Sequence, residues 1–390
     1  TDQGLSQRPY LDTYHRVNMF FEELSWNTDE PKMQFHNLQG SAQNIADFES
    51  QNFFRPAVYQ AFSTQGGTNV LAMMAKFSQS INSRDFKLDD YASYLHLVST
   101  EVRPSVMKMA SIGLLMFDIQ TDMIHVENKL FRYIANNYGK EDYDVIDYHS
   151  ENPPQDNGDL DLLTNDITLH GVKGVILSDS QSVYIFPAGG ELVLHKNRNA
   201  TFAGNGHAGS FDFYGKHFTF NYNDFKIRMV GTDSVRLKAE SFEKDAQGKH
   251  HLVVVKSVIQ HLTGELDIDR SDNKSGIAHL HNFPILHSDT NSYVYYDKKS
   301  IQNGVYKRDK FYFEVDPFTI DSLGNFTNAG LHFSGKFASA VIVPDMRETL
   351  RLQPDYSLGF VHDAPPEGLS LYGGKAKFHN KLSLSNNGLK

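Results

Sequence analysis

A glycine-rich stretch, GNGHAGSFDF at residues 204–213, has the spacing of a dinucleotide-binding turn. Gly204, Gly206 and Gly209 form G-x-G-x-x-G, and Asp224 follows where such folds place an acid for the ribose. That chemistry requires a helix directly after the third glycine, because the helix N-terminus faces the pyrophosphate. The segment SFDFYGKHFTF instead alternates phenylalanine with other residues, which is the period of strands. The sequence therefore favours a turn or bulge between strands, and we expect no cofactor.

Three signatures of serine acyl enzymes of the β-lactamase and penicillin-binding kind are also present. Ser105 and Lys108 form S-x-x-K, residues 271–273 read SDN, and residues 274–276 read KSG. The second and third signatures are contiguous here, whereas in those enzymes they approach the nucleophile from different sides. Ser105 follows Pro104, so the simpler interpretation is the first turn of a helix that begins at this proline. We expect no catalytic role for these residues.

Two histidines separated by one residue, His279 and His281, would share one face of a strand and could hold a metal ion. His287 is near in sequence, and Asp289 or Glu265 could complete the ligand set. The chain has 18 histidines, so a solvated strand face is the simpler interpretation. We assign no metal ligand.

Two acidic segments, DNGDLD at 156–161 and DIDRSDN at 267–273, resemble fragments of calcium loops. Neither has the glycine and the distal glutamate at the positions that an EF-hand requires. Solvated acidic turns explain both.

Helical periodicity dominates the N-terminal part of the chain. Residues 14–38 are predicted to form a hairpin around the turn NTDEP, and residues 42–80 to be helical. Residues 85–137 read as helix, helix, hairpin, helix, with the second helix from Pro104, an order that resembles a winged helix. Nucleic acid is an unfavourable partner for this unit, because the basic residues of 84–132 are outnumbered by seven acids. The six basic residues are Arg84, Lys87, Arg103, Lys108, Lys129 and Arg132.

Short strand-like segments follow from about residue 160, spaced roughly 8–10 residues apart and separated by turn residues. Among them, NSYVYYDKK and KFYFEVDPF present aromatic residues at period two. Exposed tyrosines on a β face could stack on sugars, but core packing on one face with solubilising tyrosines on the other is the favoured explanation. The segments HSENPPQDNGD (149–159) and DAPPEG (363–368) are predicted breaks between modules.

The fold class that we predict is α+β, mainly β: an α/β N-terminal part with a winged-helix-like unit, then a β-solenoid or β-sandwich array. The predicted divisions are an N-terminal hairpin with helices (1–82), the winged-helix-like unit (83–150), a β-repeat domain (151–362) and the start of a further β module (363–390).

Composition narrows the function classes. The 390 residues carry a net charge of −10, which argues against general affinity for nucleic acid or anionic lipid. The chain has no cysteine, which excludes disulfides, thiolate metal sites and cysteine nucleophiles. Its apolar runs are too short to span a bilayer as a helix. The chain begins TDQGLSQ, without Met, and ends KLSLSNNGLK on a strand-like segment, so we expect a piece of a longer protein.

Several stretches together resemble segments of large uncharacterised β-rich proteins of Bacteroidota-type bacteria, associated with the cell envelope. They are DYDVIDYHS, ILSDSQSVYIFP, FYGKHFTFNYNDFKIRM, NKSGIAHLHNFPI, SYVYYDKKSIQNGVY and the C-terminal LQPDYSLGFV…PPEGLSLYGGKAKFHNKLSLSNNGL. The resemblance spans most of the chain and implies a periplasmic or envelope-associated location. It supplies no catalytic motif, so it implies no site residue.

A weaker resemblance is to envelope bridge proteins of the OstA and AsmA kind, in which repeated strands form an apolar groove for lipid. This resemblance rests on the alternation of glycine turns and strands in FAGNGHAGSFDFYGKHFTFNYNDFKI. We therefore expect a non-enzymatic envelope protein that acts in scaffolding, in docking of other envelope proteins, or in transport of an apolar or glycan ligand. The alternative is a carbohydrate-active β-helix enzyme, a lyase or glycosidase, with paired carboxylates or a Lys/Arg/Tyr/Asp cluster in a cleft.

Overall fold

The computed structural model describes residues 9–37, 44–63, 67–154 and 156–390. The chain is mainly β, with 42% of its residues in strands and 15% in helices, and its large antiparallel sheets are open. It divides into two compact units. Unit 1 comprises residues 1–178, 189–199 and 272–278, and unit 2 comprises residues 179–188, 200–271 and 279–390. The four-part division predicted from the sequence stays a prediction. Within the described residues, no helix combines the length and the apolar character needed to cross a membrane.

Up to residue 178, the described part of the chain contains twelve strands and five helices. They are β1 (Tyr10–Asp12), β2 (Val17–Phe20), β3 (Glu23–Trp26), β4 (Lys32–His36), β5 (Ile45–Ser50), α1 (Pro56–Gln60), α2 (Val70–Ser80), β6 (Asp85–Lys87), α3 (Leu88–Leu95), α4 (Ser99–Ser111), β7 (Leu115–Asp118), β8 (Met123–Val126), α5 (Asn128–Asn137), β9 (Asp147–Glu151), β10 (Gly158–Asp161), β11 (Ile167–Leu169) and β12 (Val175–Ser178).

The remaining elements are all strands apart from short 3-10 turns. They are β13 (Val183–Leu194), β14 (Ala200–Ala208), β15 (Phe211–Asn221), β16 (Lys226–Met229), β17 (Ser234–Glu240), β18 (Leu252–Val254), β19 (Ile259–Gln260), β20 (Gly264–Asp267), β21 (Ile285–Ser288), β22 (Ser292–Tyr295), β23 (Phe311–Val315), β24 (Thr319–Ile320), β25 (His332–Ser339), β26 (Met346–Leu352), β27 (Leu358–Asp363), β28 (Leu369–Leu371), β29 (Ala376–Phe378), β30 (Lys381–Ser385) and β31 (Gly388–Leu389).

Unit 1 combines a helical core with small antiparallel sheets. One sheet has the order β1-β2-β5-β9, and β3 and β4 form the hairpin that the turn NTDEP predicts. Another sheet has the order β6-β8-β7. Buried side chains of its strands and of the helices form one hydrophobic core. Val70, Met74 and Phe77 lie on α2 at helical spacing, as predicted, with Met74 and Phe77 fully in this core.

Four sequence-based predictions in unit 1 are wrong or hold only in part. Residues 45–50 form β5 rather than a helix, because Ala46, Phe48 and Ser50 are buried at period two. Helix α4 begins at Ser99 and contains Pro104; Glu101 accepts a hydrogen bond from the backbone N–H of Val98 at 3.4 Å and so fixes the earlier start. The predicted hairpin at 14–38 is limited to residues 23–36, because residues 17–20 form β2, which pairs with β1 and β5 in another sheet. Among the described residues of the predicted linker at 149–159, only the two ends lie in strands, β9 and β10. Leu38, residues 42–43 and Gln155 lie outside the described residues.

Unit 2 is organised around β15, a strand that belongs to two sheets. One edge of β15 pairs with β14 along its length. On the other edge, residues 218–221 pair with β16 and residues 211–214 pair with β17. One sheet continues from β16 through β20 and β21 to β24, and the other from β17 through β19, β22, β23, β25, β26 and β27 to β30 and β31.

Alternation of side chains gives these strands one buried and one solvated face. The buried face is dense in phenylalanine, as in β15 and β23, where the pattern alternates residue by residue. The large side chains in this core are Phe211, Phe213, Phe218, Phe220, Phe311, Phe313, Phe333 and Phe337. On these strands, the side chains that a ligand in solvent can reach therefore lie on the solvated face.

Candidate functional site

The glycine-rich motif is the β14–β15 hairpin. The register runs from Ala200 opposite Phe220 to Ala208 opposite Phe211, which leaves a two-residue turn. Gly204 has φ +135°, and a Cβ there would lie 2.3 Å from a backbone oxygen in the 179–188 segment of unit 2. Gly209 has φ +58° in the turn, with a would-be Cβ 2.5 Å from neighbouring backbone. Gly204 and Gly209 allow close backbone approach, and a strand stands where pyrophosphate binding would require a helix.

The S-x-x-K and SDN-KSG motifs have structural roles. Lys108 on α4 places its Nζ 4.8 Å from the centre of the Phe62 ring. The backbone N–H groups of Lys274 and Ser275 and the Ser275 hydroxyl all donate to the carboxylate of Asp142, at 2.9, 3.0 and 2.6 Å. Residues 274–275 are thus a loop anchored to the carboxylate of a residue distant in sequence.

The two histidines of the H-x-H motif precede a strand rather than lie on one. Both His279 and His281 are exposed, and β21 begins only at Ile285, so the prediction that they share a strand face is wrong. The bend in the chain before β21 breaks the alternation that would have aligned the two imidazoles. Within the described residues, no group of three or more His, Asp or Glu side chains could hold a metal ion.

The other candidate ligands to a metal have partners of their own. Asp289 and Glu265 both lie beside Arg228, Asp289 as a direct hydrogen-bond acceptor. His287 is 3.0 Å from the Thr319 hydroxyl. In the acidic segment 156–161, Asp159 pairs with Lys32 at 3.1 Å, while Asp161 accepts two backbone N–H groups in a turn. Residues 158–161 are strand β10, and in the segment 267–273 Asp269 is buried and accepts a hydrogen bond from the Gln181 amide at 2.7 Å, so the prediction of solvated acidic turns is wrong.

The outward face of β22 and β23 carries a cluster of three tyrosines, which we call the tyrosine platform (Tyr293, Tyr295 and Tyr312). Tyr293 and Tyr295 are two residues apart on β22 and stack with ring centres 5.9 Å apart and planes within 16°. Tyr312 lies directly opposite Tyr295 in the pairing register. Its ring centre is 5.8 Å and 6.2 Å from the other two. All three tyrosines are half-buried, so part of each side chain is exposed to solvent.

Polar groups fix the edges of the tyrosine platform. The Arg308 guanidinium lies 3.7 Å from the centre of the Tyr295 ring and pairs with Asp297 at 3.3 Å. Glu314 accepts a hydrogen bond from the Asn291 amide at 2.8 Å and a weaker one from the Tyr293 hydroxyl at 3.5 Å. The platform therefore combines apolar ring faces with hydrogen-bonding groups at its rim.

Two of the platform tyrosines, Tyr293 and Tyr295, have a raised pKa and stay protonated at neutral pH. Burial raises the pKa of Tyr293, and the carboxylate of Glu314 and the other rings raise it further. Burial also raises the pKa of Tyr295, and the neighbouring Arg308 offsets only part of that effect. At neutral pH these hydroxyls are hydrogen-bond donors rather than bases.

The solvated face continues beyond the tyrosines as paired charges. Lys336 on β25 lies 2.8 Å from Asp345, and Arg347 on β26 pairs with Asp316. Where β26 and β27 separate there is a groove of about 600 Å³, whose single lining carboxylate is Glu348. Glu348 lies 2.6 Å from the His362 ring nitrogen.

Unit 1 contains a separate cluster of acids around β5 and β9. Asp147 on β9 lies opposite Glu49 in the register, and Asp47 is two residues from Glu49 on the same face of β5. Lys129, only 7% exposed, pairs with Glu49 at 3.1 Å and donates to the Ile112 carbonyl at 2.8 Å. Burial, followed by the charges of Asp47 and Glu49, raises the pKa of Asp147 to about 7. One Asp147 oxygen is buried and lacks a hydrogen-bond partner.

With this geometry established, comparison with known proteins adds no assignment. The chain matches no protein-family model, no curated protein sequence and no solved structure.

Proposed function

We propose that this chain is a non-catalytic, glycan-binding scaffold of the cell envelope, and that the tyrosine platform is its binding site. The observation that carries the proposal is the stacking of three half-buried tyrosines on a solvated sheet face, with Arg308 over one ring. Ring faces accept the C–H face of a sugar, while the rim hydroxyls and carboxylate hydrogen-bond its hydroxyl groups.

The charges around the platform favour a neutral glycan. Arg308, Lys336 and Arg347 each pair with an aspartate within this face. With Glu314 also at the platform rim, this face has hydrogen-bonding groups and no excess of positive charge, whereas an acidic polysaccharide would require unpaired cations. An extended sheet surface also suits a linear chain, which contacts successive rings along the strand.

Among the predicted architectures we favour a β-sandwich array over a solenoid. Two antiparallel sheets that diverge from β15 support this choice, together with a phenylalanine-rich face that is buried on both. Because those apolar side chains fill a core, they do not line an open groove. This speaks against transport of lipid along the strands and supports binding on the solvated face instead.

The alternative function, a carbohydrate-active lyase or glycosidase, has weaker support. Glycosidases require two carboxyl groups across the scissile bond, whereas Glu348 is the single carboxylate that lines the groove beside β26. A lyase that used a platform tyrosine as base would require a lowered pKa, whereas burial raises the pKa of Tyr293 and Tyr295. The platform therefore suits binding better than turnover.

In unit 1, we propose that residues 70–137 form a winged-helix-like unit. The order α2, β6, α3, α4, β7, β8 and the sheet order β6-β8-β7 support it. The second helix after β6 is α4, which a DNA-binding member would place in the major groove. Two of its cations are engaged within the protein, Arg103 with Asp122 at 2.8 Å and Lys108 with Phe62. Contacts with protein suit this unit better than contacts with nucleic acid.

Binding of insoluble and soluble neutral polysaccharides, measured by co-sedimentation and by calorimetry, tests the glycan proposal. The double variant Tyr293→Ala, Tyr295→Ala should lower affinity about 30-fold, since each stacked ring contributes roughly 1 kcal/mol. Tyr214→Ala is the matched control, because Tyr214 also carries an arginine (Arg236, 4.9 Å) but no second tyrosine among its described ring contacts. Equal loss in both variants, or no binding across the panel, would contradict the proposal.

Two further assays separate the remaining alternatives. Appearance of new reducing ends or unsaturated sugar products during incubation would favour the enzyme and contradict a purely binding role. The envelope location rests on the resemblance to β-rich envelope proteins. It predicts that the native protein fractionates with the envelope of its source cells, and recovery in the cytoplasmic fraction would contradict it.

A further inference from the structure

A groove of about 850 Å³ lies between α2 and α5 in unit 1, remote in sequence from the tyrosine platform. Both helices present one face to the hydrophobic core, and the groove runs along the adjoining face of each. Three large apolar side chains line this groove: Phe131, Ile134 and Tyr138. Its charged lining residues are Lys76, Arg84, Arg132, Lys140 and Glu141.

The floor of this groove is apolar and open to solvent. Phe131, Ile134 and Tyr138 follow the spacing i, i+3, i+7, which places them on one face of α5. Leu130 and Tyr133 occupy the adjoining, core-facing side. Phe131 and Ile134 are only partly covered by the core, and Tyr138 is 64% exposed. The Arg84 guanidinium lies 5.3 Å from the centre of the Phe131 ring, so helix α5 has a second, partly exposed apolar face with a cation at its edge.

The rim of the groove is strongly positive in a protein of net charge −10. Four cations stand against one acid, Glu141. Arg84 donates to the neutral Asn128 side chain at 2.8 Å, and Arg132 to that of Asn52 at 3.0 Å. Lys76 and Lys140 are exposed, and within the described residues none of the four cations has a carboxylate within ion-pair distance. Their charges are available to a ligand.

We propose that this groove docks an acidic amphipathic helix of a partner protein. A helix laid between α2 and α5 would place apolar side chains at i, i+3/i+4 and i+7 on the Phe131–Ile134–Tyr138 floor. Its flanking carboxylates would meet the cationic rim, where opposite charges steer association and fix orientation. A polyanion without an apolar face, such as a nucleic acid, would leave the floor exposed to water.

Binding of designed helical peptides to the full chain, followed by fluorescence anisotropy, tests this proposal. Two peptides of about four helical turns share leucines at i, i+3/i+4 and i+7 and differ only in whether the flanking positions are Glu or Lys. The Glu peptide should bind at least ~10-fold more tightly, and added salt should weaken its binding.

Variants locate the binding within the groove. Lys76→Glu with Lys140→Glu should lower affinity for the Glu peptide about tenfold, chiefly by slowing association. Ile134→Asp should lower it for both peptides. The matched control is Lys87→Glu with Lys375→Glu, which changes the same net charge at exposed lysines outside the groove lining and should leave binding unchanged.

The proposal would be overturned if the Glu peptide did not bind, if both peptides bound equally, or if the groove and control variants lost affinity equally. It would also be overturned if the protein sedimented with phosphatidylserine vesicles through Lys76 and Lys140 while the peptide did not bind. Far-UV circular dichroism of each variant confirms that the fold is retained. Failure here leaves the glycan proposal intact, because that site lies in unit 2.

Discussion

Asp147 is expected to make the protein less stable as pH rises from about 4 to 7. Burial and the neighbouring Asp47 and Glu49 raise the pKa of its carboxyl to about 7 in the folded chain, against a value of 3.8 for an unperturbed aspartate. The folded state therefore holds this proton over a range in which the unfolded state has released it. Stability from this group is complete below about pH 4, declines through the window and is constant above about pH 7.

The size of this effect follows from the pKa difference. A gap of about three units, at 1.36 kcal/mol each, sets a ceiling of about 4 kcal/mol. Partial exposure of the residue and relaxation around the charge reduce it, so we expect about 2 kcal/mol. Asp147→Asn keeps the shape of the neutral carboxyl and removes the charge. The variant should match the wild type near pH 4 and exceed it by about 2 kcal/mol at pH 8.

Urea unfolding at several pH values measures this difference. Trp26 is the single tryptophan, and it lies in the same unit as Asp147, so its fluorescence reports on that unit. Glu151→Gln on the same strand is a control of opposite sign. A hydrogen bond from Lys173 lowers the pKa of Glu151, so removal of this carboxylate should destabilise the protein at neutral pH and have no effect in acid. A pH-independent difference for Asp147→Asn, or a loss of stability at pH 8, would refute the reasoning.

Three further stability predictions can be checked by the same unfolding measurements. Gly204→Ala should lower the free energy of unfolding by more than about 3 kcal/mol, because its Cβ would lie 2.3 Å from backbone. Gly206→Ala should lower it by under about 1 kcal/mol, because the nearest atom is 4.0 Å away. Similar costs for the two variants would refute the close backbone approach at Gly204. Lys129→Met should lower the free energy of unfolding by about 3–5 kcal/mol, because it leaves Glu49 buried without its cation. Adding Glu49→Gln should recover most of that loss. A double variant no more stable than the single variant would refute the pairing. Phe313→Ala should cost about 3–5 kcal/mol as a cavity in the core of unit 2, and a cost below 1 kcal/mol would show that the site is not close-packed.

Local signals in the sequence predicted elements whose period is regular and whose ends are marked. Helix α2 follows from the spacing of Val70, Met74 and Phe77, and the β14–β15 hairpin follows from alternating phenylalanines around a glycine. Strand β5 was missed because Ala46 and Phe48 alternate over only six residues. Pro104 predicts a helix start, but α4 begins at Ser99, because a proline in the interior costs this helix one hydrogen bond without ending it.

The tyrosine platform could be predicted only in part. Period two on β22 shows that Tyr293 and Tyr295 share a face, opposite to Val294. That Tyr312 and Arg308 join them depends on the register between β22 and β23, across a long connection. Register of that kind is set by packing of the whole sheet, and a single sequence does not encode it locally. His279 and His281 gave a misleading motif for a different reason, because they precede β21 and do not lie on a strand.

The two-sided pairing of β15 has a consequence for how unit 2 folds and unfolds. Its partner on one edge, β14, is reached through a two-residue turn, so this hairpin can form early from local contacts. Both sheets then extend from its other edge, one from each half of the strand. Neither sheet can open at this end without releasing hydrogen bonds of β15. The amide protons of β15 are therefore expected to exchange with solvent only through global unfolding of the unit, which makes this strand the kinetic anchor of the β region.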